Sequence, residues 1–262
     1  MVNPTGLYIY CIMQEKEEGK EGKRRNQDFD LGNIGLKNQS VYAIRHNDIS
    51  AVVSKLPLHQ LEANIDDVVT HQKVVETAKQ KTGTTILPVR FGTVVRNQQE
   101  VTSLLSKSYR EYKSKLIKFD GKDEFGIKVL KTKTFEEKLK DLVEAESQQI
   151  KNIKDNISSL SHDKPGSEYM LNLTLKDTVK NEIYKKMEQL TLKIHQEFAE
   201  ISEDTTLLNT DNLEHLALNG AYLVNKDNSE AFKSRLNKVE EEYGSMGLIF
   251  HMNGPWAPYS FC

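Results

Sequence analysis

Residues Leu248–Cys262 read LIFHMNGPWAPYSFC, and the layout of the chain follows from how this stretch is understood. Leu248, Ile249 and Phe250 begin an apolar run, ending at Met252, that suits a strand entering a core. Asn253-Gly254-Pro255 breaks it, because glycine permits positive φ and proline supplies no ladder donor. The residues beyond include the chain's single tryptophan, Trp256, together with Pro258, Tyr259 and Phe261. A free terminus is normally polar, whereas each large aromatic can bury about 150–250 Å². The tail, 253–262, is therefore expected to lie on its own chain, as a strap across the junction of two domains. The other reading is a docking surface.

Working outward, Ser229–Tyr243 has helical spacing through Phe232, Leu236 and Val239, and Gly244 stops it. Thr205–Asn209 and Leu213–Asn225 are strand candidates. Two long apolar stripes precede them, over Phe135–Leu160 and Tyr169–Ile201, and pack most simply as an antiparallel helical hairpin. The first turns of the second stripe are ambiguous, since Leu171, Leu173 and Leu175 also alternate as a strand would. Phe125–Lys131 alternates as a strand, and Gly121-Lys122-Asp123-Glu124 marks a boundary.

The first part of the chain repeats the theme. Gly6–Met13 (GLYIYCIM) is apolar on both alternating faces, which suits a central strand. Residues 15–30 are charged and glycine-punctuated, with little to bury, and read as a solvated loop. Ser40–Ile44 and Ile49–Ser54 read as a hairpin. Asp66–Gln80 is helical, with Gly83 as C-cap. In Thr84–Val95 a strand is broken by Pro88, which confines its first half to an edge or a kinked start. Val101–Phe119 is a further helix. The expected fold is α+β: two ferredoxin-like-type domains, antiparallel sheets with helices on one face, over 1–120 and 121–252. The second is enlarged by the hairpin, and the aromatic tail follows.

Composition narrows the function. Hydrophobic content of 37%, charged content of 28% and a net charge of −2 describe a soluble protein without the basic excess that grips phosphates. No run reaches the ~18 apolar residues of a spanning helix, and no secretory signal pattern opens the chain. A soluble cytoplasmic protein is expected, contacting neither nucleic acid nor membrane. Cys11 and Cys262 are the two cysteines: the first reads as a buried thiol, the second as accessible. The seven histidines lack ligand spacing, and phosphate-loop, HExxH and GxSxG patterns are missing. No cofactor, metal or catalytic residue is expected. His71 lies beside the stripe of its helix and reads as a half-buried core histidine. Arg90-Phe91-Gly92, at the end of the kinked strand, could present a cation and a flat apolar face together. Either Arg90 pairs within its own fold and Phe91 is core, or the cluster belongs to a docking or domain-clasping site.

Asn253-Gly-Pro-Trp-Ala-Pro-Tyr-Ser-Phe261 resembles the ending of the gas vesicle protein F/L family, typically GPWPPYSF, with Ala257 in place of the first proline of the pair. Further matches follow in order: Gly6–Tyr10, His71-Gln72, Leu87–Thr93 (LPVRFGT), Gly121-Lys122, Pro165-Gly166 and Asn219–Val224 (NGAYLV). The resemblance spans nearly the whole chain and implies an accessory protein of gas vesicle formation, associated with gas vesicles. The partners it implies are the small hydrophobic shell subunit and other accessory proteins. Arg90, Phe91, Trp256, Tyr259 and Phe261 are the candidate partner-binding or domain-clasping residues. The alternative is a small-molecule-binding or enzymatic protein built on ferredoxin-like domains.

Overall fold

The computed structural model describes residues 5–15, 29–57, 64–160, 165–210 and 215–262. Most of the charged segment 15–30 lies outside them. By internal contacts the chain forms two compact units, Met1–Glu124 with Gly254–Cys262, and Phe125–Asn253.

The first unit is built on strand β1 (Thr5–Gln14), whose residues from Gly6 to Met13 are all buried. It is followed by β2 (Asp30–Gly32), a 3-10 turn at Leu36–Asn38, β3 (Val41–His46) and β4 (Ile49–Pro57). Then come α1 (Ile65–Thr82), β5 (Ile86–Pro88), β6 (Val94–Val95), α2 (Gln98–Lys107) and α3 (Tyr109–Phe119). The sheet order is β2-β3-β4-β1-β5, with β6 also on β1. The β3–β4 hairpin turns through Asn47 at φ 53°, in the left-handed region that asparagine tolerates. A register shift between Ile9 and Cys11 breaks the strict alternation of β1. Tyr8, Tyr10, Cys11 and Met13 consequently share one buried cluster with Val74, Val75 and Ala78 of α1. The apolar span Val101–Phe119 is two helices, because the backbone leaves helical geometry at Ser108.

β5 and β6 both pair with β1, Cys11 opposite Pro88 and Tyr8 opposite Val94. Pro88 cannot donate to the ladder, and the chain leaves it as a turn, Val89–Thr93. The turn is pinned at both ends: Val89 N–H donates to the Tyr10 carbonyl (2.9 Å), and Ile9 N–H to that of Thr93 (3.0 Å).

The second unit runs β7 (Lys122–Lys131), α4 (Lys133–Glu146), α5 (Gln148–Ser158), α6 (Pro165–Ala199), β8 (Asp204–Leu207), β9 (Leu216–Asn225), α7 (Ser229–Tyr243) and β10 (Leu248–Trp256). Its sheet order, β10-β7-β9-β8, is compatible with the ferredoxin-like layout. Phe125, Ile127 and Val129 alternate into a core with Phe135, Phe198, Tyr222 and Phe232. The Phe125 and Phe232 ring centroids lie 5.1 Å apart. Gly126 gives room to Asn253: a Cβ there would meet Asn253 Oδ1 at 2.3 Å and make that side chain move.

Three sequence expectations change here. The stripe Phe135–Leu160 is two helices, since Ser147 leaves the helix and its Oγ accepts from Ile150 N–H (3.4 Å) to start α5. The alternating leucines 171–175 are helical, but Tyr169, Met170 and Leu173 are exposed. Only from Ile183, Met187 and Leu190 onward does the stripe of α6 meet the core. Finally, β10 runs on through Gly254-Pro255 to Trp256; it is an edge strand of its sheet, where proline is tolerated.

Candidate docking groove of the first unit

The site grows from α1. Asn64 caps its start, accepting from Asp67 N–H (2.8 Å), and Gly83 at φ 58° ends it. Between these caps His71, Val74, Val75 and Ala78 face the core. His71 is 3% exposed, more deeply buried than its place beside the stripe implied. Its Nδ1 lies 2.8 Å from Tyr8 Oη, which in turn accepts Gly92 N–H at 3.1 Å. With Gly92 N–H donating to its oxygen, Tyr8 has its one hydrogen free for Nδ1, an arrangement in which the neutral ring carries its proton on Nε2. Nε2 is buried and makes no well-formed hydrogen bond among the described residues. Burial holds the imidazole pKa down at about 4, and the Val89 backbone, as a hydrogen-bonding neighbour of looser geometry, opposes it in part.

The Val89–Thr93 turn supplies the second wall. Thr93 Oγ1 donates to the Arg90 carbonyl (2.7 Å), and Gly92 at φ +90° takes a conformation that side chains rarely adopt. The turn sets the Phe91 ring edge-on to His71 (5.8 Å between centroids, 74°) and to Tyr8 (6.1 Å, 64°). Arg90 is exposed beside it. Among the described residues no ion pair or hydrogen bond holds its guanidinium.

The tail closes the third side. Ala257 is fully buried, and Tyr259 packs against the same cluster as Tyr8 and Tyr10, its ring 6.2 Å from that of His71. The clasp is Glu124, whose carboxylate accepts from Ser260 N–H (2.8 Å) and Ser260 Oγ (2.6 Å). Burial raises the Glu124 pKa, and the two Ser260 bonds lower it in part. Cys262 donates its Sγ–H to the Pro258 carbonyl (3.0 Å), and burial pushes the thiol up to about 12. It is thus a poor nucleophile, although the residue is exposed.

Together these elements enclose an open groove of about 620 Å³, within the usual range of ligand sites. Val68 and Gln72 of α1, Pro88, Arg90 and Phe91, Tyr112 and Lys115 of α3, and Tyr259 and Cys262 of the tail line it. Beyond Val68, the apolar surface of α1 continues outside the groove through the exposed Ile65 and Val69. Of the five residues singled out from sequence, Arg90, Phe91 and Tyr259 meet in this groove. Trp256 is 36% exposed and Phe261 half-buried, and neither lines it. Tyr112, Lys115 and Gln72 were not singled out as site residues, because helical periodicity marks a face without saying what lies opposite it. Among the described residues no cluster of His, Cys, Asp and Glu could hold a metal, and no helix is long and apolar enough to cross a membrane.

Residues 6–262 match the family described as gas vesicle synthesis protein GvpL/GvpF. The chain belongs to this family. It is 24% identical to gas vesicle protein F of Haloferax mediterranei, over 97% of this chain and 92% of that one. It is 23% identical to gas vesicle protein F of Microcystis aeruginosa, over 98% of each. The crystal structure of GvpF from Anabaena sp. PCC7120 superposes with a TM-score of 0.78, at 20% identity and 98% coverage of both chains. That likeness extends the shared fold across both units. As a GvpL/GvpF member the chain has an accessory role in gas vesicle formation.

Proposed function

We propose that this GvpL/GvpF protein binds the small hydrophobic shell subunit during gas vesicle assembly, without catalysis, and that the groove of the first unit is where it does so. One observation carries the reading. Phe91, Val68 and Tyr259 line an open apolar groove that continues outward onto Ile65 and Val69. A subunit destined for a hydrophobic wall aggregates unless another surface covers its apolar face. A groove with a fixed aromatic floor can cover a segment of it and release it again. The seat is firm, because the turn and the tail are held by hydrogen bonds to β1 and Glu124. The test is capture of the co-expressed shell subunit by the full-length tagged chain. Phe91→Asp is expected to lose most capture while keeping its folded circular-dichroism signal, with a lower melting point because the ring packs on Tyr8 and His71; unchanged capture would sink the assignment.

The exposed Tyr169, Met170 and Leu173 of α6 favour a second contact, with another accessory protein. Tyr169→Ser combined with Leu173→Ser then leaves shell-subunit capture intact and weakens a different interaction. Loss of shell-subunit capture in that variant would count against this division of labour.

A further inference from the structure

We infer that the groove selects its partner segment by a carboxylate set beside apolar side chains, with Arg90 as the anchoring cation; this rests on the groove being the shell-subunit site. The charge of the lining is one-sided. Arg90 and Lys115 are its charged residues, and no Asp or Glu lines it. Lys115 is already engaged, 2.8 Å from Glu111 of its own helix. Arg90 has no ion pair among the described residues, although it stands at the rim of an apolar surface. A guanidinium in that position offers a planar fork of donors suited to a carboxylate.

The layer below points the same way. Among the described residues His71 Nε2 and Tyr259 Oη are both buried without a well-formed hydrogen bond, the Val89 backbone being a weaker polar neighbour of the imidazole. Natural interiors rarely leave such groups unmatched. These two groups are neutral, and Glu76 lies in the layer near Tyr259 without lining the groove, so the charged side chains that face a bound segment are the cations. A basic segment would meet Arg90 as a like charge. A neutral apolar segment would cover the guanidinium without pairing it, which costs free energy. An acidic residue flanked by apolar ones satisfies both the cation and the Phe91 face. The recognised feature is therefore an apolar protein segment carrying one carboxylate.

The full-length protein is tested by fluorescence anisotropy with two labelled peptides, a Leu/Ser-rich sequence carrying one central Glu and its Gln isostere. Wild type is expected to bind the Glu peptide roughly tenfold more tightly, equivalent to about 1.4 kcal/mol. Arg90→Lys should keep most of that preference and Arg90→Glu should abolish it, both with unchanged melting because the residue is exposed. Equal binding of the two peptides, or a preference that survives Arg90→Glu, would overturn the inference. So would octanoate binding more tightly than the Glu peptide, which would assign the groove to free amphiphilic acids. Shell-subunit capture separates the two ideas. If Phe91→Asp abolishes capture while Arg90→Glu does not, the docking site stands and the carboxylate anchor falls. If neither variant affects capture, the docking site falls as well.

Discussion

Acidification should destabilise the first unit through His71, in an amount that follows from its burial. In the folded chain the ring is closed off among Tyr8, Tyr10, Phe91 and Tyr259, and its pKa falls from the ordinary 6.5 to about 4. Above pH 6.5 both folded and unfolded states hold a neutral imidazole, and the group contributes nothing to the pH dependence. Between 6.5 and 4 the unfolded chain takes up a proton that the folded chain refuses, so stability falls as pH falls. At 1.36 kcal/mol per tenfold change in proton affinity, the loss is about 2 kcal/mol by pH 5 and approaches ~3 kcal/mol near pH 4. Glu124 acts in the opposite sense, because its raised pKa makes the protonated form the favoured one in the fold. Urea melts of wild type and His71→Gln, read between pH 7.5 and 5, isolate the histidine: the wild-type curve should fall more steeply by about 2 kcal/mol. A histidine NMR titration gives the direct value. A His71 midpoint near 6.5, or equal slopes for the two proteins, would refute the reasoning.

Other outcomes follow from single contacts. Gly247→Ala should cost about 2 kcal/mol in a denaturant melt. At φ +94° its new Cβ would sit 2.8 Å from Thr132 Oγ1 and 2.9 Å from Phe135 N, disturbing the cap of α4. Lys79→Met should cost about 3 kcal/mol, since it strands the buried Asp123 that Lys79 holds at 2.7 Å; partial recovery on adding Asp123→Asn is the confirming signature. Trp256→Ala should cost only ~1–2 kcal/mol, less than a fully buried ring, because the indole is 36% exposed. Its emission should be that of a partly hydrated indole, and a blue-shifted spectrum would contradict the packing.

Much of the fold was legible in the sequence because the apolar periods are clean. Gly6–Met13 suited a strand buried on both faces, and Pro88 pointed to an edge or a kinked start. The breaks at Ser108 and Ser147 were not legible, because serine is an ordinary helix residue and apolar spacing runs through both sites undisturbed; at Ser147 the hydroxyl caps the Ile150 amide, whereas at Ser108 the backbone turns without a side-chain cap. The exposed start of α6 misled for a related reason, since Tyr169 and Leu173 keep core spacing where the structure has no core for them. For the groove, Arg90-Phe91-Gly92 stood out locally, and Tyr259 through its aromatic tail. Their meeting depends on β1, whose Tyr8 hydroxyl reaches both Gly92 and His71, and sequence spacing carries no trace of that.

The most direct test of the groove as the shell-subunit site is site-specific photocrosslinking in cells assembling gas vesicles. A benzophenone side chain is placed at Phe91 in one full-length variant and at Tyr169 in another. The account predicts a shell-subunit adduct from position 91 and none from 169. An adduct from 169 with none from 91 would contradict it.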